Sequence, residues 1–206
     1  MLAQVLPNLA IMRNDFDKAY YDRFYRNPRT RAVTPAAAKS QAAFIAHFLR
    51  YLEVPVKRIV DVGCGLGDVL QALGQEYPKA KTQGVEISSY LCEEYGWHEG
   101  SVVNYKSAKP FDVVVCNDVI AYLDDKQCAK ALKNLAELTK SAAFLGILTA
   151  EDWELCDQDR TDPDQHLRPR AWYEKRLAKH FVGVGGGLYL KKPLEYPVWT
   201  LDRVLG

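Results

Sequence analysis

Hydrophobic and polar positions in the middle of the chain alternate between a strand period and a helix period. Runs rich in Val, Ile and Phe are typical of buried strands, and apolar residues three or four positions apart are typical of helices. The predicted strands are residues 58–63, 82–87, 111–116 and 142–148, and the predicted helices are residues 68–77, 88–95 and 124–140. This alternation predicts an α/β fold with a mostly parallel sheet and helices on both faces.

The flanking segments follow other patterns. Residues 15–26 interleave aromatic and charged side chains near helical spacing, which predicts a short helix. Thr34 supplies a capping hydroxyl and Pro35 a first helical position, so a second helix is expected to begin there and to end before Pro55. After a predicted helix at 172–180, residues 181–190 and 198–202 resemble two strands, and their short connection predicts antiparallel pairing.

Length and composition favour one domain. With 206 residues, 48% of them hydrophobic, the chain can bury one core. We expect a single domain over residues 1–206, with a helical lid or cap at 1–34, a cofactor-binding core at 35–150, and an acceptor loop with C-terminal strands at 151–206. The formal net charge of +1 lacks the basic excess of nucleic-acid-binding proteins.

The cysteines and the N-terminal residues provide the basis for predicting the cellular location. The five cysteines are dispersed and form no Cys-x-x-Cys pair, so we predict reduced thiols, no metal and a cytoplasmic protein. The apolar start of the chain lacks a basic leader and is interrupted by Pro7 and Asn8, so no secretion signal is expected. Because no apolar run approaches about 20 residues, no membrane association is predicted.

A glycine-rich turn follows the first predicted strand and carries the clearest chemistry. It reads Asp61-Val62-Gly63-Cys64-Gly65-Leu66-Gly67, and the next predicted helix begins directly after it. Missing side chains permit a tight turn and close approach of a ligand, while the helix N-terminus favours a polar or anionic group. Glu86 ends the second strand, about 20 residues later, where nucleotide-binding sheets place an acid that accepts ribose hydrogen bonds.

The spacing of the glycines indicates which of two kinds of cofactor the turn would bind. A nicotinamide site normally reads Gly-x-Gly-x-x-Gly, whereas here the third glycine is one position early. The turn, Glu86 and the segment Phe111-Asp-Val-Val-Val-Cys-Asn-Asp-Val-Ile-Ala-Tyr-Leu together resemble the class I S-adenosylmethionine-dependent methyltransferases, over roughly residues 35–150. The resemblance implies a Rossmann-like, mostly parallel seven-stranded sheet with an antiparallel last strand, and S-adenosyl-L-methionine as cofactor.

The resemblance also implies roles for individual residues. Asp61 and the glycine turn would lie under the methionine part, Glu86 would hold the ribose, and Ile87 would pack on adenine. Many members carry an acid after the third strand that binds the adenine amino group; here Ser101 or a backbone carbonyl would take its place, beside Val102. The full predicted cofactor set is Asp61, Gly63, Cys64, Gly65, Gly67, Glu86, Ile87, Ser101, Val102, Asn117, Asp118 and Val119.

Candidates on the acceptor side come from three segments. Tyr122 follows the Asn117-Asp118 loop and is a candidate for the methyl-transfer region, where its ring would stabilise a sulfonium. His166, in the segment 151–170 after the fifth strand, is either a proton acceptor or a solvated loop residue. The aspartates near His166 match no metal-binding pattern. Arg29 and Arg31 either approach the cofactor carboxylate or are solvated, and the aromatic residues of 15–26 form either a lid or a packed helix.

These observations predict transfer of a methyl group to a small-molecule acceptor. Enzymes that methylate nucleic-acid bases commonly carry Asn-Pro-Pro-Tyr where this chain has Asn117-Asp118-Val119-Ile120, so a nucleic-acid acceptor is not expected. Two alternatives stay open. One is a non-catalytic methyltransferase-like protein that binds the cofactor or a partner, and the other, disfavoured by the glycine spacing, is an NAD(P)-dependent oxidoreductase.

Overall fold

The fold is taken from a computed structural model that describes residues 16–31 and 33–198. Its strands are β1 (Arg58–Val62), β2 (Lys81–Glu86), β3 (His98–Glu99), β4 (Phe111–Asn117), β5 (Thr139–Gly146), β6 (Phe181–Gly185) and β7 (Leu188–Lys191). They form one seven-stranded sheet in the order β3-β2-β1-β4-β5-β7-β6. Strands β1 to β5 pair in parallel, and β7 is antiparallel to both neighbours. The predicted fold class is therefore confirmed.

Seven α-helices are described. They are α1 (Lys18–Tyr21), α2 (Pro35–Tyr51), α3 (Asp68–Glu76), α4 (Ser89–Tyr95), α5 (Asp125–Leu138), α6 (Ala150–Trp153) and α7 (Arg170–Leu177). The expected cap of α2 is present, since Thr34 Oγ1 accepts a hydrogen bond from the Ala37 N–H at 3.1 Å. A π-helical turn, Asp22–Arg26, continues α1, so the predicted N-terminal helix changes its hydrogen-bond pattern half-way.

Alternate residues of the central strands pack on opposite faces of the sheet, as expected for a period of two. Two separate buried clusters result. One joins Val60 and Val114 to Leu132 and Leu135 of α5. The other joins Ile59, Val113 and Val115 to Ile45 and Leu49 of α2 and Leu70 and Leu73 of α3. Helices on both faces are thus explained by the buried Val and Ile residues of β1 and β4.

Several predicted boundaries differ from the structure: the strand expected over 142–148 is β5, Thr139–Gly146, and the helix expected over 172–180 is α7, Arg170–Leu177. The helix expected to reach residue 140 ends at Leu138, because Thr139 enters the sheet and its hydroxyl donates to the Leu135 carbonyl at 2.7 Å. The strand expected over 181–190 is a hairpin of β6 and β7. Its turn is made by Gly185, Gly186 and Gly187, whose φ values of +101°, +58° and +80° reverse the chain. The strand predicted at 198–202 lies, apart from Val198, outside the described residues.

A buried arginine fixes the segment between β5 and α7. Arg168 is 5% exposed and donates to Asp125 Oδ1 at 2.7 Å, to the Tyr173 hydroxyl at 3.3 Å and to the Leu123 carbonyl. These contacts tie the long connection to the start of α5. Within the described residues, no helix is both long and apolar enough to cross a bilayer.

Arg168→Met is expected to lower the free energy of unfolding by about 1–3 kcal/mol, because the buried partners of the guanidinium would lose their donors. Arg170→Met is the matched control, since Arg170 is 71% exposed in its ion pair with Glu174 and such pairs contribute little. Urea denaturation followed by circular dichroism measures both. Equal effects of the two substitutions would show that the Arg168 contacts do not hold the segment.

Candidate functional site

The site lies at the carboxyl ends of β1 and β4, where the order of the strands reverses. From β1 the chain continues to β2 on one side, whereas β4 and β5 lie on the other side. Open α/β sheets bind ligands in the crevice that forms at such a reversal. The glycine turn follows β1, and the loop of Asn117, Asp118 and Val119 follows β4.

All three glycines of the turn have left-handed backbone conformations, with φ of +80° at Gly63, +53° at Gly65 and +82° at Gly67. Two of them also face close neighbours. A Cβ atom on Gly63 would lie 2.2 Å from Val119 Cγ2, and one on Gly67 would lie 2.5 Å from Trp97 Cζ2. At Gly65 the nearest atom is Tyr21 Cε1 at 3.9 Å, so this glycine has open space beside it.

Glu86 joins the glycine turn to the end of β2. Its carboxylate accepts the N–H groups of Gly65 and Ile87 at 2.9 Å and that of Ser88 at 3.0 Å. The Tyr21 hydroxyl donates to Oε1 of the same carboxylate at 3.4 Å. Three backbone donors from two loops therefore fix this buried side chain beneath the cavity.

Asp61 is a buried carboxyl with an unsatisfied oxygen. The residue is 3% exposed, and its Oδ1 atom has no hydrogen-bond partner. Burial, together with the nearby charge of Glu86, raises the pKa of Asp61 to about 8. A buried carboxylate is costly unless it is paired, so a cationic or hydrogen-bond-donating group at this end of the turn would complete the site.

A cavity of about 640 Å³, partly open to solvent, lies above these groups. Nine of the twelve residues predicted to bind cofactor line it: Gly63, Gly65, Glu86, Ile87, Ser101, Val102, Asn117, Asp118 and Val119. Asp61, Cys64 and Gly67 are not among the lining residues. Burial raises the pKa of the Cys64 thiol above its usual range, and this residue has a packing role beside Gly84.

The N-terminal segment forms one wall of this cavity. Its contributions are the rings of Phe16, Tyr20, Tyr21 and Tyr25. The segment is attached to α4, because Ser88 Oγ donates to the Phe16 carbonyl at 2.6 Å and Arg26 forms an ion pair with Glu94 at 2.8 Å. The aromatic residues that the sequence left as either a lid or a packed helix therefore face the cavity while packing on the domain.

A second cavity, of about 550 Å³, adjoins the first on the side of the 151–170 segment. It is lined by Tyr20, Phe24, Tyr25, Val33, Asp118, Tyr122, Leu148, Arg160, Thr161, Asp162 and Gln165. A chain of hydroxyls runs along it: the Tyr20 and Tyr122 hydroxyls lie 3.1 Å apart, and Tyr122 donates to Asp162 Oδ2 at 3.2 Å. Burial raises the pKa of both tyrosines above the usual range, so the hydroxyls stay protonated.

Asp118 lies where the two cavities meet. It has a left-handed backbone with φ of +54°, which is uncommon outside glycine, and its carboxylate accepts the Asn117 amide at 2.9 Å. The residue is exposed to solvent within the cavity, and desolvation by the surrounding protein raises the pKa of its carboxyl to about 6.

Several other predicted residues lie elsewhere. The His166 side chain is exposed and lines neither cavity. Its backbone is held in place, because the N–H donates to the Ala121 carbonyl at 2.8 Å and the carbonyl accepts from Arg168 Nη1 at 3.1 Å. The structure gives this ring no place in the site, whereas Tyr122 lines both cavities. Arg29 and Arg31 line neither cavity. No group of three or more His, Cys, Asp or Glu side chains among the described residues is arranged to hold a metal.

The sequence did not single out Tyr21 as a partner of Glu86, nor Asp162 as a partner of Tyr122. Both contacts join segments far apart in the chain, 65 and 40 residues respectively. The available signal was the aromatic density of residues 16–25, which indicated a buried or ligand-facing surface without giving its position.

Comparison with known proteins defines the class. Residues 29–181 match the family described as Methyltransferase domain. A malonyl-[acyl-carrier protein] O-methyltransferase of Legionella pneumophila is 34% identical over 83 residues, 35% of this chain and 29% of that protein. A ubiquinone biosynthesis O-methyltransferase of Coxiella burnetii is 28% identical over 113 residues, 47% of each chain. The matched stretches thus span less than half of either relative.

A solved structure shows the same fold. The magnesium protoporphyrin IX methyltransferase of Synechocystis PCC 6803, crystallised with bound S-adenosylmethionine, superposes with a TM-score of 0.65 at 15% identity, covering 93% of this chain and all of that one. The sheet order and the glycine turn after β1 are those of an α/β protein of this fold. With the family match, the chain belongs to the class I S-adenosylmethionine-dependent methyltransferases, which confirms the family predicted from the sequence.

Gly63→Ala and Gly96→Ala form a matched pair, because both glycines have left-handed φ, +80° and +72°. A Cβ on Gly96 would meet nothing within 4 Å, so this substitution should cost only about 1–2 kcal/mol of backbone strain. Gly63→Ala adds the clash with Val119 and should cost a further 1–3 kcal/mol or so. Chemical denaturation measures the difference, and equal costs would mean that Val119 moves aside freely.

The raised pKa of Asp61 predicts a pH effect on stability. Between about pH 4, the ordinary value for aspartate, and about pH 8, the folded protein holds a proton that the unfolded chain has lost. Its contribution to the free energy of unfolding therefore falls as pH rises through this window. Relative to wild type, Asp61→Asn should gain at least about 1 kcal/mol between pH 5 and pH 8 in urea denaturation. Parallel pH curves would contradict a raised Asp61 pKa.

Proposed function

We propose that this protein transfers a methyl group from S-adenosyl-L-methionine to a small-molecule acceptor and releases S-adenosyl-L-homocysteine. One observation carries the proposal: the glycine turn, Glu86 and the loop of residues 117–119 converge on one cavity, beside a buried Asp61 oxygen that lacks a partner.

Residues in and next to the cavity would hold three parts of the cofactor: the ribose, the adenine and the methionine end. Glu86 would accept hydrogen bonds from ribose hydroxyls, and the space beside Gly65 lets the ligand approach the backbone. Ile87, Ser101 and Val102 would enclose the adenine. Asp61 would become the partner of the positively charged amino group at the methionine end. Because four donors already surround the Glu86 carboxylate, the Tyr21 hydroxyl would have to yield or share its position when ribose binds.

When bound, S-adenosylmethionine supplies a methyl group on a positively charged sulfur, which is an activated electrophile. The protein then has to align an acceptor in line with that methyl group and to exclude water. Alignment of two reactants can contribute about 7–11 kcal/mol at its upper limit. The rings of Tyr20, Tyr25 and Tyr122 stand between the two cavities and would keep water from the path of the methyl group.

The second cavity is the proposed acceptor site. In the described residues only Arg160 among its lining side chains is basic, which favours a small acceptor over nucleic acid. The names of the relatives refer to different acceptors, so they support the reaction type and no particular substrate. The division of the chain into lid, core and acceptor segments stays a prediction, as does a cytoplasmic location.

Calorimetric titration with S-adenosyl-L-homocysteine tests the cofactor site. Wild type should bind, and Glu86→Ala should weaken binding by about tenfold or more, since a hydrogen bond to a charged group contributes roughly 1.5–3 kcal/mol. Glu93→Ala, on the exposed side of α4, is the matched control and should bind like wild type. The proposal would be abandoned if wild type showed no binding at millimolar ligand.

Transfer of labelled methyl groups into a fractionated metabolite extract tests catalysis separately. A labelled small molecule is expected in the presence of wild-type protein. Binding of S-adenosyl-L-homocysteine without any labelled product would instead support the non-catalytic alternative. Binding of NADH with no binding of S-adenosyl-L-homocysteine would support an oxidoreductase.

A further inference from the structure

The residues that line both cavities form a shared wall and indicate where the nucleophilic atom of the acceptor would lie. Tyr20, Tyr25, Asp118 and Tyr122 line both cavities. If the cofactor fills the first cavity as proposed, the methyl group must cross this wall to reach a molecule in the second. The nucleophilic atom of that molecule must therefore lie beside Asp118 and the tyrosine hydroxyls.

The charges in the second cavity are mostly negative. Asp118 and Asp162 line it, and Asp162 accepts both the Tyr122 hydroxyl at 3.2 Å and the Asp164 N–H at 3.0 Å. Arg160 also lines it, but its Nε lies 3.5 Å from Asp157 Oδ2 in a half-exposed ion pair. An anionic acceptor would thus meet two carboxylates and an arginine that already has a partner, whereas a cation would be attracted.

The rings of this cavity suit a cation as well. Tyr20, Phe24, Tyr25 and Tyr122 surround it, and Tyr20 lies 5.0 Å from Phe24 and 6.1 Å from Tyr25 between ring centroids. Aromatic rings grouped in this way attract ammonium groups through their electron-rich faces, and more strongly when water is excluded. Carboxylates and rings therefore favour the same kind of ligand.

The side chains available as bases favour an amine over a hydroxyl compound as the acceptor. Among the described residues that line the two cavities, none is His, Lys or Cys. An alcohol would need a strong base to become nucleophilic, and the tyrosine hydroxyls stay protonated. An amine attacks through its own lone pair and requires only a group that accepts a proton.

We propose that the acceptor is a small amine, held between Asp162 and the rings of Tyr20, Phe24, Tyr25 and Tyr122, with Asp118 as its proton acceptor. This inference rests on the proposed function and adds the substrate class to it. The proposal thereby excludes hydroxyl compounds and carboxylates as acceptors.

The step balances with the groups present. An amine that arrives protonated first gives one proton to the Asp118 carboxylate, which passes it to water. The neutral nitrogen then forms a bond to the methyl carbon, and the bond from that carbon to sulfur breaks with its electron pair remaining on sulfur. The methylated ammonium gives its extra proton to Asp118, and the neutral methylated amine then leaves.

Three probes that share a 2-phenylethyl group and differ in its polar substituent test the charge preference: 2-phenylethylamine, 2-phenylethanol and 3-phenylpropanoate. Each is titrated calorimetrically into wild-type protein saturated with S-adenosyl-L-homocysteine. The amine is expected to bind at least about tenfold more tightly than the alcohol, and the carboxylate most weakly. Equal or weaker binding of the amine, or no binding of any probe, overturns the amine proposal.

Two substitutions test whether the preference for the amine arises at Asp162. Asp162→Asn is expected to weaken amine binding about tenfold while leaving the affinities for the alcohol and for S-adenosyl-L-homocysteine unchanged, because Asp162 does not line the cofactor cavity. Asp159→Asn, an exposed aspartate that lines neither cavity, is the matched control and should change none of these values. An Asp162→Asn protein that keeps the full preference for the amine overturns the assignment.

The same titrations separate this inference from the proposed function. Failure of wild type to bind S-adenosyl-L-homocysteine refutes both. Tight cofactor binding with a preference for the alcohol or the carboxylate refutes the amine acceptor alone. The comparison of probes uses only the wild-type protein, so it stands even if Asp162→Asn does not fold.

Discussion

The hydrogen bonds of the Glu86 carboxylate hold the two sides of the site at a fixed separation. The N–H of Gly65 comes from the turn after β1, whereas those of Ile87 and Ser88 come from the end of β2. Hydrogen bonds to a buried charge are among the stronger ones in proteins, and loss of the Glu86 carboxylate would leave its N–H donors without a partner. The position of the glycine turn, the floor of the cavity and the start of α4 all depend on this one side chain.

Two kinds of construction meet above that floor. The first cavity is built on the sheet, from turns that follow buried parallel strands. The second cavity is built from the N-terminal rings and the segment after β5, which Arg168 attaches to α5. The first is held by strand pairing and the second by a small number of polar contacts, so the two sides differ in how firmly their geometry is fixed.

The sequence located the strands and turns of the first cavity, because their determinants are local. The periodicity of Val and Ile located β1 and β4, and the positive φ values at Gly63, Gly65 and Gly67 account for the glycine spacing. It failed at the hairpin of β6 and β7, where an apolar run concealed three turn glycines. It also failed to place His166, since exposure of a loop side chain depends on how the loop packs and not on residue type. The contact between Tyr122 and Asp162 depends on the same loop packing.

Most of the rings that line the second cavity precede the domain shared with the family. Tyr20, Phe24 and Tyr25 lie before residue 29, where the family match begins, whereas Tyr122 lies within it. The three N-terminal rings belong to no strand of the described sheet and to neither hydrophobic cluster. Substitutions within a few consecutive codons can therefore alter one wall of the second cavity without changing the strands or the two buried clusters.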